Sequence, residues 1–227
     1  MLDFAIQQVS LDCREGIDKV RGIVEVTFIS LFSSRSQAAS SVSKNGMLLH
    51  VIGGRNHFRP LTTLQSVGLL QILEEQTVMV DNKSHSSLFA SAVTLSSGDL
   101  VMTGGKDAPH DAFLISQFDL TNWRRLPQMK HGRFAHSSCN FVQDEEEFVI
   151  VAGGWGVEGG TMRAQAFVEI YNLSEAHWRE LTSLPSPRVY FSLQVAKHMI
   201  TERVIVFIAD DRCWSRSDGR LLLQQRQ

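Results

Sequence analysis

The sequence predicts an all-β repeat protein whose units have the size of β-propeller blades, and three observations carry that expectation. Three Gly-Gly pairs each close an apolar run. Leu48-Leu49-His50-Val51-Ile52 precedes Gly53-Gly54, Leu100-Val101-Met102-Thr103 precedes Gly104-Gly105, and Val149-Ile150-Val151-Ala152 precedes Gly153-Gly154. The first glycines of these pairs stand 51 and 49 residues apart, a period at which repeat architectures declare themselves. Arginine and tryptophan then recur in the same register. Arg133 lies twenty residues before Gly153 and Arg188 twenty before Ile208, while Trp123-Arg124-Arg125-Leu126 and Trp178-Arg179-Glu180-Leu181 share one W-R-x-L pattern.

Within a unit the segments read as strands. They are short, about four to eight residues, rich in Val, Ile, Phe and Thr, and separated by polar or glycine-containing stretches. Phe148–Ala152 and Phe167–Tyr171 are two such runs. No segment holds a 3.6-residue apolar period long enough to require a helix. Four short strands in about fifty residues match one propeller blade. A fourth apolar run, Val204-Ile205-Val206-Phe207, ends in Ile208-Ala209 where the others have Gly-Gly.

The landmark residues have physical roles in such a unit. A Gly-Gly pair at the end of an inner strand opens backbone angles closed to other residues and lets neighbouring backbone come close. Blades crowd near a central axis, so small residues are expected there. An aromatic later in the unit fills the wedge between adjacent sheets, and Phe118, Trp123, Tyr171 and Trp178 are the candidates.

Apolar run, Gly-Gly, variable loop, aromatic, short spacer, Trp, then Leu-Pro and Arg resembles the kelch repeat. The copy from Arg133 through Tyr171 and Trp178 to Pro185 is the fullest. The 84–127 copy has Phe118 in place of Tyr and a shorter spacer to Trp123. The 33–80 copy keeps its Gly-Gly without a Trp, and the 188–213 copy lacks the Gly-Gly. The resemblance implies a kelch-type propeller region over 33–227, with about four blades, incomplete or partial. Residues 1–32 form a leader or part of a preceding blade. Kelch propellers close with more blades than this, so three readings stand open: a fragment of a longer protein, assembly with another copy through open blade edges, or a small degenerate ring. An open run of blades exposes sheet edges that favour self-association.

Composition bounds the function. Hydrophobic residues at 43% and charged residues at 20% support a packed core, and a net charge of −2 offers no basic footprint for nucleic acid. Cys13, Cys139 and Cys213 have neither metal-ligand spacing nor an even count, which fits a reducing compartment. The start of the chain lacks a signal-peptide pattern, and its most apolar stretches fall short of the roughly 20 residues a membrane helix needs. A cytoplasmic location, with a nuclear one as the alternative, is the expectation.

No catalytic set, metal site or cofactor is expected. Gly154-Trp155-Gly156-Val157-Glu158-Gly159 spells G-x-G-x-x-G, and a dinucleotide fingerprint would need a helix next, drawn over Thr161–Glu169. A glycine-rich loop is the favoured reading because Gly-Gly recurs without the rest of that motif. The histidines form no H-x-H or H-x-x-x-H pair. Asp144-Glu145-Glu146-Glu147 reads as a solvated hairpin turn.

The loops after each Gly-Gly vary while the frame repeats, as binding loops on a rigid scaffold do. They offer Arg55, Asn56 and His57, then Lys106, Asp107 and His110, then Trp155 and Glu158. Arg133 and Arg188 could reach the same face and take an acidic peptide through bidentate contacts, or could bond backbone between blades. By the resemblance, these loops bind a protein or peptide partner, and the chain serves as the substrate-recognition part of a ubiquitin-ligase adaptor. An enzyme on the same frame, an oxidase or sugar epimerase, is the alternative.

Overall fold

The computed structural model describes residues 36–56, 59–68, 72–77, 79–80, 83–84, 87–197, 204–209 and 220–222. It is all-β, with no helix among them. Residues 1–32 lie outside the described residues. Each repeat unit is one antiparallel sheet whose strands are ordered as in the chain. The first sheet holds Ala39–Val42, Leu48–Ile52, Thr63–Gly68 and Ile72–Thr77. The second holds Ser91–Thr94, Leu100–Thr103, Ala112–Ser116 and Asp119–Leu126, with Met79–Val80 added in parallel at its outer edge. The third holds Ser137–Gln143, Glu146–Ala152, Val168–Asn172 and His177–Leu181. In the fourth, Ser192–Lys197, Val204–Ala209 and Arg220–Leu222 are described.

Consecutive sheets meet along their first strands. Hydroxyls make the contact: Ser41 Oγ lies 2.7 Å from Thr94 Oγ1, Ser91 Oγ lies 2.6 Å from Ser138 Oγ, and Leu193 N donates to Ser137 Oγ at 2.9 Å. Just before each first strand sits a residue with a left-handed backbone: Gln37 (φ 60°), Phe89 (57°), Ala135 (51°) and Tyr190 (53°). These four form a hydrogen-bonded ladder. Phe89 N donates to Gln37 O, Ala135 N to Phe89 O, and Tyr190 N to Ala135 O, at 2.8–3.0 Å. None of the four is glycine, so each carries backbone strain that its ladder bonds offset.

A second row of bonds uses the Gly-Gly pairs. Gly54 N donates to Ser87 O, Gly105 N to Arg133 O, and Gly154 N to Arg188 O. In each case the acceptor belongs to the chain entering the next sheet. The approach leaves no room for a side chain: a Cβ on Gly104 would sit 2.3 Å from Arg133 O, and one on Gly153 2.6 Å from Arg188 O, both at φ +60°. The fourth unit has Ile208-Ala209 inside its second strand at this place.

The core explains why the second strands are apolar without alternation. In the second sheet, Leu100 and Met102 pack with Ile52 and Leu64 of the first, while Val101 packs with Val149 and Val151 of the third. In the third sheet, Ile150 and Ala152 face Phe191 and Leu193 of the fourth. A sheet covered on both faces buries every residue of its inner strand, and the period-2 signal disappears.

The aromatic landmarks divide. Trp123 is buried at 3% exposure, tilted on Phe113 with ring centroids 5.7 Å apart, and its Nε1 donates to Leu120 O. Tyr171 packs on Trp178 at 5.0 Å, and Trp178 Nε1 donates to Pro127 O, which ties the third sheet to the exit of the second. Phe118 departs from expectation. It is 89% exposed in the turn joining the last two strands of the second sheet, and is not wedged between sheets. The register gives the reason: Trp123 pairs with Ile115 as Trp178 pairs with Tyr171, so fully buried Ile115 takes the place of the tyrosine. The short spacer to Trp123 puts Phe118 on the hairpin tip.

The acidic run is also more than a solvated turn. Asp144 and Glu145 make the left-handed tip, but Glu147 accepts from Ser96 N and Ser96 Oγ, both at 2.7 Å, and Glu146 accepts from Asn172 Nδ2. Glu147 therefore links the second and third sheets at the end opposite the Gly-Gly loops.

Replacing Gly153 with Ala should cost about 3 kcal/mol in urea unfolding, combining a left-handed Cβ with a clash against Arg188 O and the Phe191 ring. Gly159 has φ +55° but nothing within 4 Å of a Cβ, so Gly159→Ala should cost only about 1 kcal/mol.

Candidate functional site

The loops after the Gly-Gly pairs and the chain segments entering each sheet share one end of the molecule, because both lie where second strands end and first strands begin. Each loop is anchored to the segment entering its own sheet. Arg55 exchanges backbone hydrogen bonds with Ser36, Trp155 exchanges them with Phe134, and Lys106 N donates to Leu88 O. Beyond these anchors the loops differ. The first forms a short hairpin, Arg55–Asn56 with Arg59–Pro60, the second has no strand, and the third forms a longer hairpin, Trp155–Glu158 with Thr161–Ala164.

Between the second and third loops lies a cleft of about 410 Å³. Its walls include Lys106 and His110 on one side, Trp155, Glu158 and Arg163 on the other, and the segment from Lys130 to Phe134 as its floor. Four residues singled out in the sequence thus come together here: Lys106, His110, Trp155 and Glu158. Asp107 is exposed on the same loop as Lys106. Arg55 and Asn56 are half-buried at the base of the first loop, and neither lines this cleft. His57 lies outside the described residues. Arg188 is half-buried, with its carbonyl bound to Gly154 N and its own N donating to Gln165 O at 3.3 Å.

Of the two roles weighed for Arg133, bonding to backbone is borne out and contact with a partner is corrected. Its side chain is fully buried, so it does not reach a partner-binding face. Nη1 donates to Gly153 O and Phe167 O at 3.0 Å each, Nη2 meets Glu169 Oε2 at 2.5 Å, and Nε donates to His131 O at 3.3 Å. Burial pulls the guanidinium pKa down, and the Glu169 carboxylate opposes the shift. Because its own carbonyl accepts from Gly105 N, Arg133 joins the second sheet through backbone and the third through its side chain.

Glu169 is the residue that sequence reasoning missed. It is 1% exposed on the strand Val168–Asn172, and besides Arg133 it accepts from Lys130 N at 2.8 Å and His131 N at 3.3 Å. One carboxylate therefore shapes the floor of the cleft from beneath. The available signal was a lone acid between Val168 and Ile170 in an apolar strand, matched to an arginine entering the same unit.

Charge in the cleft is unevenly distributed. Lys130 Nζ binds Glu180 at 2.6 Å, and His131 Nε2 lies 3.3 Å from the same carboxylate while its ring stacks on Phe167 at 3.8 Å. Hydrogen bonding and charge from Lys130 hold the Glu180 carboxyl below its usual range. Lys106 and Arg163 form no ion pair among the described residues, and Glu158 is the one acid in the lining. The wall is thus cationic within a chain of net charge −2.

Among the described residues, no group of three or more His, Cys, Asp or Glu could hold a metal ion. Gly154–Gly159 opens a hairpin closed by Gly159 and Gly160, and the helix that a dinucleotide site needs is replaced by the strands Thr161–Ala164 and Val168–Asn172. Cys139 is buried and its thiol is pushed up to about 12, which removes it as a nucleophile. No helix among the described residues is long and apolar enough to cross a membrane. No family model matches the chain.

Removing Arg133 strands the Glu169 carboxylate. Arg133→Ala should destabilise by about 3–5 kcal/mol in urea unfolding, whereas the double replacement Arg133→Met with Glu169→Leu should recover part of that loss. His136 gives a pH signature. It is buried, its Nε2 lies 2.8 Å from Thr103 Oγ1, and burial first, then the Arg133 charge, hold its imidazole well below the ordinary range. The unfolded chain takes up the proton that folded His136 refuses, so stability should fall as pH drops below about 6.5. His136→Gln should flatten that slope in unfolding titrations.

Proposed function

We propose that this chain contributes kelch-type blades to a β-propeller and binds an acidic segment of a protein partner in the cleft between its second and third Gly-Gly loops. The four sheets in chain order, the first strands side by side and the ladder from Gln37 to Tyr190 support the propeller reading. The observation that carries the binding reading is the pair of exposed cations, Lys106 and Arg163, unpaired among the described residues and lining one cleft beside the half-buried rings of Trp155 and Phe167. Unpaired cations beside aromatic surface suit a carboxylate-bearing chain, since charge steers the encounter and the rings supply contact area. The role in a ubiquitin-ligase adaptor, and a cytoplasmic or nuclear setting, belong to this proposal through the kelch resemblance alone. The competing reading, an oxidase or sugar epimerase on the same frame, rests on that resemblance as well.

The test is fluorescence anisotropy with a labelled glutamate-rich peptide. Lys106→Glu and Arg163→Glu should each weaken binding about tenfold, and raising salt from about 0.05 to about 0.5 M should weaken it further. Both side chains are exposed, so circular dichroism should be unchanged. Unaltered affinity in the folded variants would remove the cleft from the proposal.

A further inference from the structure

The hairpin Trp155–Ala164 projects from the third sheet with an outer edge that makes no backbone hydrogen bond at Met162 or Ala164 among the described residues. Gly159 and Gly160 both have positive φ and form a two-residue turn, so Glu158 and Thr161 exchange hydrogen bonds across it. Pairs then alternate along an antiparallel ladder. Val157 with Met162, and Trp155 with Ala164, are the pairs whose N–H and C=O point away from the hairpin. The outward groups of Trp155 are taken by Phe134. Those of Met162 and Ala164 have no backbone partner among the described residues.

The first sheet shows the same edge closed. There Arg55 pairs with Pro60 as Trp155 pairs with Ala164, and Leu61 N donates to Gly54 O as Gln165 N donates to Gly154 O. Pro60 thus stands at the place of Ala164, and proline has no N–H to offer. Proline is a recurrent device for blocking an edge strand, and the third hairpin lacks it.

Side chains of the hairpin sort onto two faces. Trp155, Val157, Met162 and Ala164 share one; Glu158 and Arg163 share the other. Val157 and Met162 are 59% and 53% exposed, an apolar cross-strand pair held in solvent. An added strand would place alternate side chains over that pair and the rest beside Arg163.

We infer that the partner segment binds by strand addition along the outer edge Met162–Ala164, as an extended chain alternating acidic with β-branched apolar residues. This rests on the binding reading above and specifies its mode. Acidic side chains fall on the Arg163 face and apolar ones cover Val157 and Met162, while main-chain bonds form to Met162 and Ala164.

The probe is a fluorescein-labelled peptide alternating glutamate and valine, compared with a block peptide of the same composition and with a version N-methylated at alternate residues. The alternating peptide should bind most tightly and slow hydrogen exchange at the Met162 and Ala164 amides. N-methylation in the register facing the edge should weaken binding about tenfold. Ala164→Pro, which copies Pro60, should do the same, and the peptide series keeps the test sound if that variant misfolds. Binding without amide protection, or equal affinity for the block and N-methylated peptides, overturns strand addition and leaves an acidic segment in the cleft. Failure of both glutamate peptides to bind overturns the strand mode and the acidic-partner reading together.

Discussion

Everything in this chain depends on how closely one sheet lets the backbone of the next approach it. At the Gly-Gly pairs, the second glycine's N–H meets the carbonyl of the residue that enters the following sheet, and the first has no Cβ to hold it off. This contact sets the spacing between sheets, and the spacing sets what can fill the wedge outside it. Near the first strands there is room for hydroxyls and alanine; further out the gap accepts Trp123 and the Tyr171–Trp178 pair. The three Gly-Gly contacts and the ladder from Gln37 to Tyr190 lie at one end, while the Ser96–Glu147 bonds close the other. The second and third sheets are thereby pinned at both ends, with an apolar cluster between them.

Arg133 shows how the same frame reaches the cleft. Its carbonyl belongs to the glycine row and its guanidinium to Glu169, so one residue carries the spacing of the sheets into the shape of the floor at Lys130 and His131. The buried pair is satisfied on every side: two carbonyls, a third through Nε, and a carboxylate that itself accepts from two backbone amides. A charge pair taken out of water adds little stability over an apolar replacement, but it dictates geometry because any shift leaves a charge unpaired. The arginine contributes position; the exposed cations above it meet solvent.

Much of the frame was legible in the residues because close packing leaves few choices at particular places. Gly-Gly at a fixed period, Trp in the W-R-x-L segment and the apolar inner strands all mark sites where only certain shapes fit. Phe118 and Arg133 show where such reading runs out. Phe118 was assigned to a wedge by residue type, yet the wedge is defined by register, and a spacer two residues shorter handed the place to Ile115. Arg133 was read between two roles because its sequence neighbourhood does not reveal Glu169, an apolar-strand acid whose partner lies 36 residues away. The left-handed ladder was invisible for a related reason: Gln37, Phe89, Ala135 and Tyr190 share a conformation and no chemistry.

The cleft was only partly legible because whole-chain charge averages over what a site concentrates. A net charge of −2 argues against a basic surface, yet it says nothing of position: Glu147 is held by Ser96 at the far end of the sheets, while Glu169 with Arg133, Glu180 with Lys130 and Asp111 with Arg125 pair off. Once those are withdrawn, Lys106 and Arg163 stand beside a single carboxylate, Glu158. Loops can hold such an imbalance because their anchors are backbone bonds that any side chain permits, at Arg55, Lys106 and Trp155 alike. The frame thus constrains the start of each loop and leaves the rest free to differ. That freedom is what separates a blocked hairpin ending in Pro60 from an open one ending in Ala164.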